Sequence, residues 1–251
     1  MLYNPNGIVI YRGPSMLDGK PIVVIATGFD KPSDNTKTGH QIQTLIMRAD
    51  IAPLDAVNTG DDASVCGACI HRGTIVDGKN KRRTCYVNLL FAPRNNFATW
   101  QRGRYREVTL EEAAELFAGH DVRVGSYGDG AAVPINVWFA VLSRAASVTG
   151  FSHQWRTCSQ EFAQFLMASC DSEADHAEAK ARGWRTYRVR KSDEPLQPRE
   201  IVCPASAEAG KKTVCALCRA CGGLGAKAKA DIAIYAHGGK GKENAFNKRA
   251  A

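Results

Sequence analysis

The sequence predicts an α/β protein built on parallel strands, in the form of a partial (β/α) barrel with a strand-rich lead-in and a cysteine-rich C-terminal loop that holds a metal or cluster. Three observations predict it. Beyond residue 108, helix-period segments alternate with short apolar runs over several repeats. Those runs are apolar rather than alternating, as buried strands should be. Each also ends in hydrogen-bonding residues, the pattern of strands whose carboxyl ends converge on a pocket. A complete eight-unit barrel is too long for 251 residues with this lead-in.

Residues 1–63 form the lead-in. Residues 8–11, 21–26 and 44–48 are β-favouring runs separated by Gly, Pro, Asn and Asp. Residues 30–39 are almost wholly polar and lack a phosphate-loop pattern, so they predict a surface loop without a nucleotide role. In the barrel-like region, residues 64–237, Thr109 and Glu112 make a capping box ahead of Leu110, Ala113, Leu116 and Phe117. Residues 122–129 follow as a strand with a glycine-rich turn, and Pro134 then opens a helix expected to run to Ala146. Residues 149–155 predict the next strand, 159–164 a short helix and 165–172 another strand. Ser172 caps a helix from Glu173 to Arg182 that Gly183 stops. Residues 184–190, 200–206 and 231–238 supply the remaining strands. Residues 238–251, rich in Gly, Lys and Asn, read as a basic tail.

The chain carries nine cysteines, and seven fall into two sets. Cys203, Cys215, Cys218 and Cys221 have CxxCxxC spacing with a distant Cys-Pro, a pattern closer to ferredoxin-type ligation than to a zinc ribbon, although four sulfurs satisfy either an iron–sulfur cluster or tetrahedral zinc. Cys66, Cys69 and Cys85 make the second set, with His71 nearby. With His71 as fourth ligand that set is a closed zinc site; without it, three thiolates leave one position open. Disulfides are the competing reading of the nine cysteines. The N-terminus lacks a positive segment followed by a long apolar one, so secretion is not expected, and a cytoplasmic chain keeps its thiols reduced. Cys158 and Cys170 read as buried structural thiols.

The polar strand ends are Ser126, Tyr127 and Asp129; Ser152, His153 and Gln154; Ser169, Asp171 and Ser172; Cys203 and Ser206; and His237. Asp129 and Asp171 are the acid or base candidates, and His153 is a third candidate for catalysis or metal binding. Gly125, Ser126, Tyr127, Gly128, Asp129, Gln154 and Ser169 are the candidate cofactor-binding residues. His40, His120 and His176 read as structural.

No apolar run approaches the roughly 18 residues of a membrane span. The formal charge is +8, which fits a polyanionic partner. Residues 78–106 hold eight basic side chains and no acid, interleaved with aromatics. Arg82, Arg83, Arg102 and Arg104, with Trp100 as a stacking face, are therefore the candidate nucleic-acid surface; a solvated basic face is the alternative.

The order of these elements, with CYVN at residues 85–88, the strand ending GSYGD and the late cysteine cluster, resembles uncharacterised phage and prophage proteins. It also looks like a divergent relative of the radical S-adenosylmethionine superfamily. That resemblance implies a cluster on Cys66, Cys69 and Cys85, a cofactor facing residues 125–129, an auxiliary cluster after the barrel, and a location in the cytoplasm of a bacterial host. A weaker similarity, to tRNA-guanine transglycosylase-like barrels, implies base exchange at Asp129 and Asp171 beside structural zinc. The expectation is an iron–sulfur enzyme that modifies a nucleic-acid base or nucleotide, with S-adenosylmethionine as a possible cofactor. A zinc-stabilised base-exchange enzyme and a non-enzymatic nucleic-acid-binding protein are the alternatives.

Overall fold

The computed structural model describes residues 3–33 and 35–249. Strands β1 (Gly7–Pro14), β2 (Pro21–Thr27) and β3 (Ile42–Arg48) open the chain. Helices α1 (Pro53–Thr59) and α2 (Ala63–Cys66) and the small hairpin β4 (Thr74–Val76) and β5 (Lys79–Lys81) follow. Next come α3 (Ala92–Gln101), β6 (Arg106–Glu107), α4 (Leu110–Phe117), β7 (Asp121–Tyr127) and α5 (Ile135–Val141). Strand β8 (Ser147–Ser152), β9 (Met167–Cys170), helix α6 (Glu173–Ala181), β10 (Thr186–Arg190) and β11 (Glu200–Val202) continue the alternation. Helix α7 (Cys215–Cys218), β12 (Asp231–Tyr235) and α8 (Lys240–Arg249) complete it.

Ten strands form one mixed, mostly parallel sheet in the order β11-β12-β10-β9-β8-β7-β3-β2-β1-β6. From β3 through β7, β8, β9 and β10 to β12, neighbours are parallel and follow chain order. Consecutive strand–helix units of one hand produce that order. Strands β1 and β2 add antiparallel to β3, so the lead-in and the region beyond residue 63 share one sheet. Strand β3 is buried along its whole length, because it sits mid-sheet between β2 and β7.

The local signals hold where they are chemical. Thr109 accepts from Glu112 N while Glu112 accepts from Thr109 N, closing the expected capping box, and Ser172 accepts from Asp175 N. Helix α5 ends at Val141, five residues before Ala146. Residues 160–164 form a 3-10 turn rather than an α-helix.

The sheet's two faces differ. Val122, Val124, Ala168 and Cys170 lie with Phe117, Val137 and Trp138 in the large core beneath the helices. The opposite face carries Met167, Ile232 and Ile234, packed against Phe151, Tyr187 and Val189 and against Cys203, Cys215, Cys218 and Cys221. There Arg123, Phe151, His153, Tyr187 and Val189 stay partly exposed while the residues between them, except Gly150's neighbour Val148 at the far end of β8, are covered or smaller. This open face is where the four C-terminal cysteines gather. Among the described residues no helix is long and apolar enough to cross a membrane.

Candidate metal centres

The first cysteine set rides on the long connection after β3, and that connection is tied at many points. Helix α1 stops at Gly60 and α2 at Gly67, both with positive φ. At Gly67 a β-carbon would collide with the Gln154 amide, so glycine there lets β8 and the cysteine loop meet. Gln154 Nε2 donates to Cys66 O at 3.1 Å, and its Oε1 accepts from Ala68 N at 3.2 Å. Arg72 donates to Gly67 O, Gly60 O and Asp62. Arg83 donates to Cys85 O and Val87 O, and Lys242 of α8 donates to Cys85 O.

These ties bring together three thiols spread over twenty residues. Burial pushes the Cys66 thiol well up, with Cys69, Asp62, Cys85 and Asp129 adding to the effect. Burial also raises Cys85, against the pull of Arg83. Thiols so placed are neutral until a cation replaces their protons.

Beside them lies a triad from three loops. Asp171, just beyond β9, accepts from His71 Nε2 at 2.8 Å and from His153 Nε2 at 3.1 Å. His71 Nδ1 meets Thr84 Oγ1 at 2.7 Å, so both of its ring nitrogens are engaged away from the cysteines. It is His153 Nε2 that approaches Cys69 Sγ, at 3.9 Å. Burial alone would pull the His153 imidazole down, but Cys69 and Asp171 carry it well above its ordinary value. Burial likewise opposes the Asp171 charge, yet His153 and His71 hold that carboxyl well below the usual range. Phe246 of α8 is buried and stacks on His71 at 5.8 Å, so the segment read as a basic tail contains a helix that covers this corner.

The second set is of another kind. Cys203 follows β11, and Cys215, Cys218 and Cys221 lie on and after α7. All four line one small cavity with Thr149, Ala205, Ala220 and Ile232. Burial raises Cys203, Cys215 and Cys221, and each is raised further by other cysteines of the set. No histidine or carboxylate lines this cavity. Among the described residues, the group of three or more ligand atoms lying within 4.8 Å of one another is His71, His153 and Asp171; no three of the seven sulfurs are as close.

The remaining candidates divide between the site and its scaffold. Asp129 is buried and its carboxylate is occupied, Oδ1 accepting from Ala131 N and Oδ2 from His153 N at 2.8 Å. It places His153 rather than facing open space. Gly125 has φ +67, and a β-carbon there would sit 2.5 Å from Gly128 O, so the GSYGD turn folds back on itself. Gly125 N donates to Thr44, and Ser126 Oγ donates to Gln43 Oε1. Tyr127 and Ser169 are buried, and Gly128 packs against Ile46.

The basic stretch does not form one surface of like groups. Arg83 braces the Cys85 loop, Trp100 packs edge-on against Phe97 and under Arg12, and Tyr105 is buried. Arg102 is exposed and donates to Thr99; Arg82 and Arg104 are also exposed. Arg123, which sequence reasoning passed over, stands on the open face instead, beside Tyr86, one of the aromatics interleaved with the basic stretch. Arg123 donates to Tyr86 OH at 2.8 Å, and Tyr86 stacks on His237 at 5.4 Å. The signal for Arg123 was a single cation between two valines, Val122 and Val124.

Compared with known proteins, the chain matches no family model, no curated protein sequence and no solved structure.

Proposed function

We propose that the chain is a two-cluster iron–sulfur enzyme acting on a nucleotide or nucleic-acid base, with residues 64–237 as a partial (β/α) barrel. Cys66, Cys69 and Cys85 hold the first cluster and Cys203, Cys215, Cys218 and Cys221 the second. The observation that carries the reading is the orientation of His71, which is bonded to Asp171 and Thr84 and so leaves the first set with three thiolates. A closed zinc site needs a fourth ligand. The donor sets fit: soft thiolates, desolvated and grouped, suit iron–sulfur clusters.

A cluster with an open vertex supplies one-electron chemistry, including reductive cleavage of S-adenosylmethionine. The chain's own residues then bind and orient. Asp171 fixes both imidazoles, Asp129 fixes the backbone of His153, and Gln154 fixes the loop bearing Cys66 and Cys69. His153 Nε2 holds a proton against Asp171 at the edge of the thiolates. The net charge of +8 favours an anionic substrate.

A second reading, a zinc-stabilised base-exchange enzyme, draws on the triad His71, His153 and Asp171, whose donors would suit one divalent ion. Anaerobic purification followed by iron, sulfide and zinc analysis separates the two. Iron with matching sulfide is expected; stoichiometric zinc in a colourless protein would falsify the cluster reading.

A further inference from the structure

The open face of the sheet carries a cation that none of the roles above uses. Arg123 lies in the middle of β7, where its neighbours Val122 and Val124 are buried on the opposite side. It has no carboxylate partner among the described residues. The hydroxyl of Tyr86 is its one hydrogen-bond partner there, which leaves most of a five-donor guanidinium without protein acceptors. Arg188, Arg48 and Arg190 are matched by carboxylates, Glu200 and Glu194, Asp50 and Glu208, and the buried Arg185 by the carbonyls of Gly223 and Ala230. Arg123 is partly exposed, so its free donors are open to an anion from solvent.

Its surroundings define what would complete it. The Arg123 guanidinium stands 5.7 Å from the centre of the Phe151 ring, and Phe151 packs on Tyr187 with centroids 4.2 Å apart. Both rings are partly exposed on the open face. Tyr86 links this patch to the first cysteine set through its neighbour Cys85, while Thr149, which pairs with Arg123 across β7 and β8, lines the cavity of the second. Arg123 therefore sits between the two cysteine sets, with an aromatic face beside it and a fork of free donors.

We propose that Arg123 anchors the phosphate of a free mononucleotide, whose base lies against Phe151 and Tyr187. The proposal rests on the enzymatic reading above and narrows its substrate. A guanidinium fork matches phosphate oxygens in pairs, and aromatic faces accept a base of any sequence. A polynucleotide fits this position less well, because Arg123 is a single partly exposed cation in β7 and not one of the run of exposed arginines of α3 and its flanks.

The test is equilibrium binding of 5′-nucleoside monophosphates, the corresponding nucleosides and a short single-stranded oligonucleotide to anaerobically purified protein. Iron content is recorded on the same samples. The parent should bind a monophosphate more tightly than its nucleoside. Arg123→Gln should weaken the monophosphate roughly tenfold to a hundredfold and leave the nucleoside unchanged, with Arg123→Lys between them. Equal affinity of the parent for nucleoside and monophosphate overturns the proposal, as does tighter binding of the oligonucleotide. Loss of iron in Arg123→Gln with nucleotide affinity kept also overturns it, because Arg123 would then be a counter-charge to the thiolates. If the parent carries no iron but Arg123→Gln still loses the monophosphate, the anion site stands and the cluster reading fails.

Discussion

The two cysteine sets differ in nearly every physical respect. The C-terminal four come from nineteen residues, line one small cavity, and have apolar neighbours such as Ile232 and Ala220. The first three come from a tied loop of twenty residues and stand against two histidines and a carboxylate. A centre with four ligands and an apolar shell has no position for a substrate, so its binding energy goes into the fold. A centre with three ligands beside ionised groups is arranged for chemistry. On the proposed reading the same element type would serve stability in one place and reactivity in the other.

The largest expected effect follows directly. Replacing Cys218 by Ser removes a ligand from the closed set, and binding of that kind contributes on the order of 10 kcal/mol, as much as a whole domain's stability. The variant should be insoluble or lack a cooperative thermal transition. Cys69→Ser should fold, with a transition within a few degrees of the parent, and lose only the first centre. Equal losses from the two substitutions would erase the distinction.

A smaller effect is expected from the strut between β8 and the cysteine loop. Gln154→Ala deletes the bonds to Cys66 O and Ala68 N and leaves those groups without their partner, at a cost of about 2 kcal/mol. Iron should fall at the first set alone, seen as roughly half the parent's iron with the C-terminal set still filled. Phe246→Ala should cost less still, about 1–2 kcal/mol, because α8 is otherwise polar. Hydrogen exchange should show α8 opening and His71 becoming reactive to acylation while the sheet stays protected.

The smallest effect concerns the thiols outside both sets. Burial, with help from the charge of Asp129, pushes Cys158 up to about 12. An acid so raised holds its proton through neutral pH, so the thiolate is scarce and alkylation at pH 8 should run about a thousandfold slower than for a free cysteine. Mass spectrometry of alkylated, metal-depleted protein would show it; rapid labelling of Cys158 would mean that the burial around it is wrong.

What could be read from the sequence was what is local. The capping box, the parallel alternation and the CxxCxxC set follow from spacing along the chain, and His153 and Asp171 were visible as polar strand ends. The role of His71 was not visible. Its proximity to Cys69 suggested a ligand, but its partner Asp171 lies a hundred residues away, and no local pattern encodes that contact. Asp129 looked like an acid or base because its backbone bonding partners could not be seen. Helix α8 was hidden for a different reason: its composition is that of a solvated tail, and its docking depends on one aromatic, Phe246.

The central claim is that two clusters are present, one closed and one open. Iron and sulfide should be counted in anaerobic parent protein and in the triple variant Cys66→Ser, Cys69→Ser, Cys85→Ser, with Mössbauer spectra of both. Two cubanes predict about eight irons in the parent and about four in the variant, the latter all four-thiolate in type. A parent with one zinc per set, or a triple variant that keeps the parent's full iron, would contradict it.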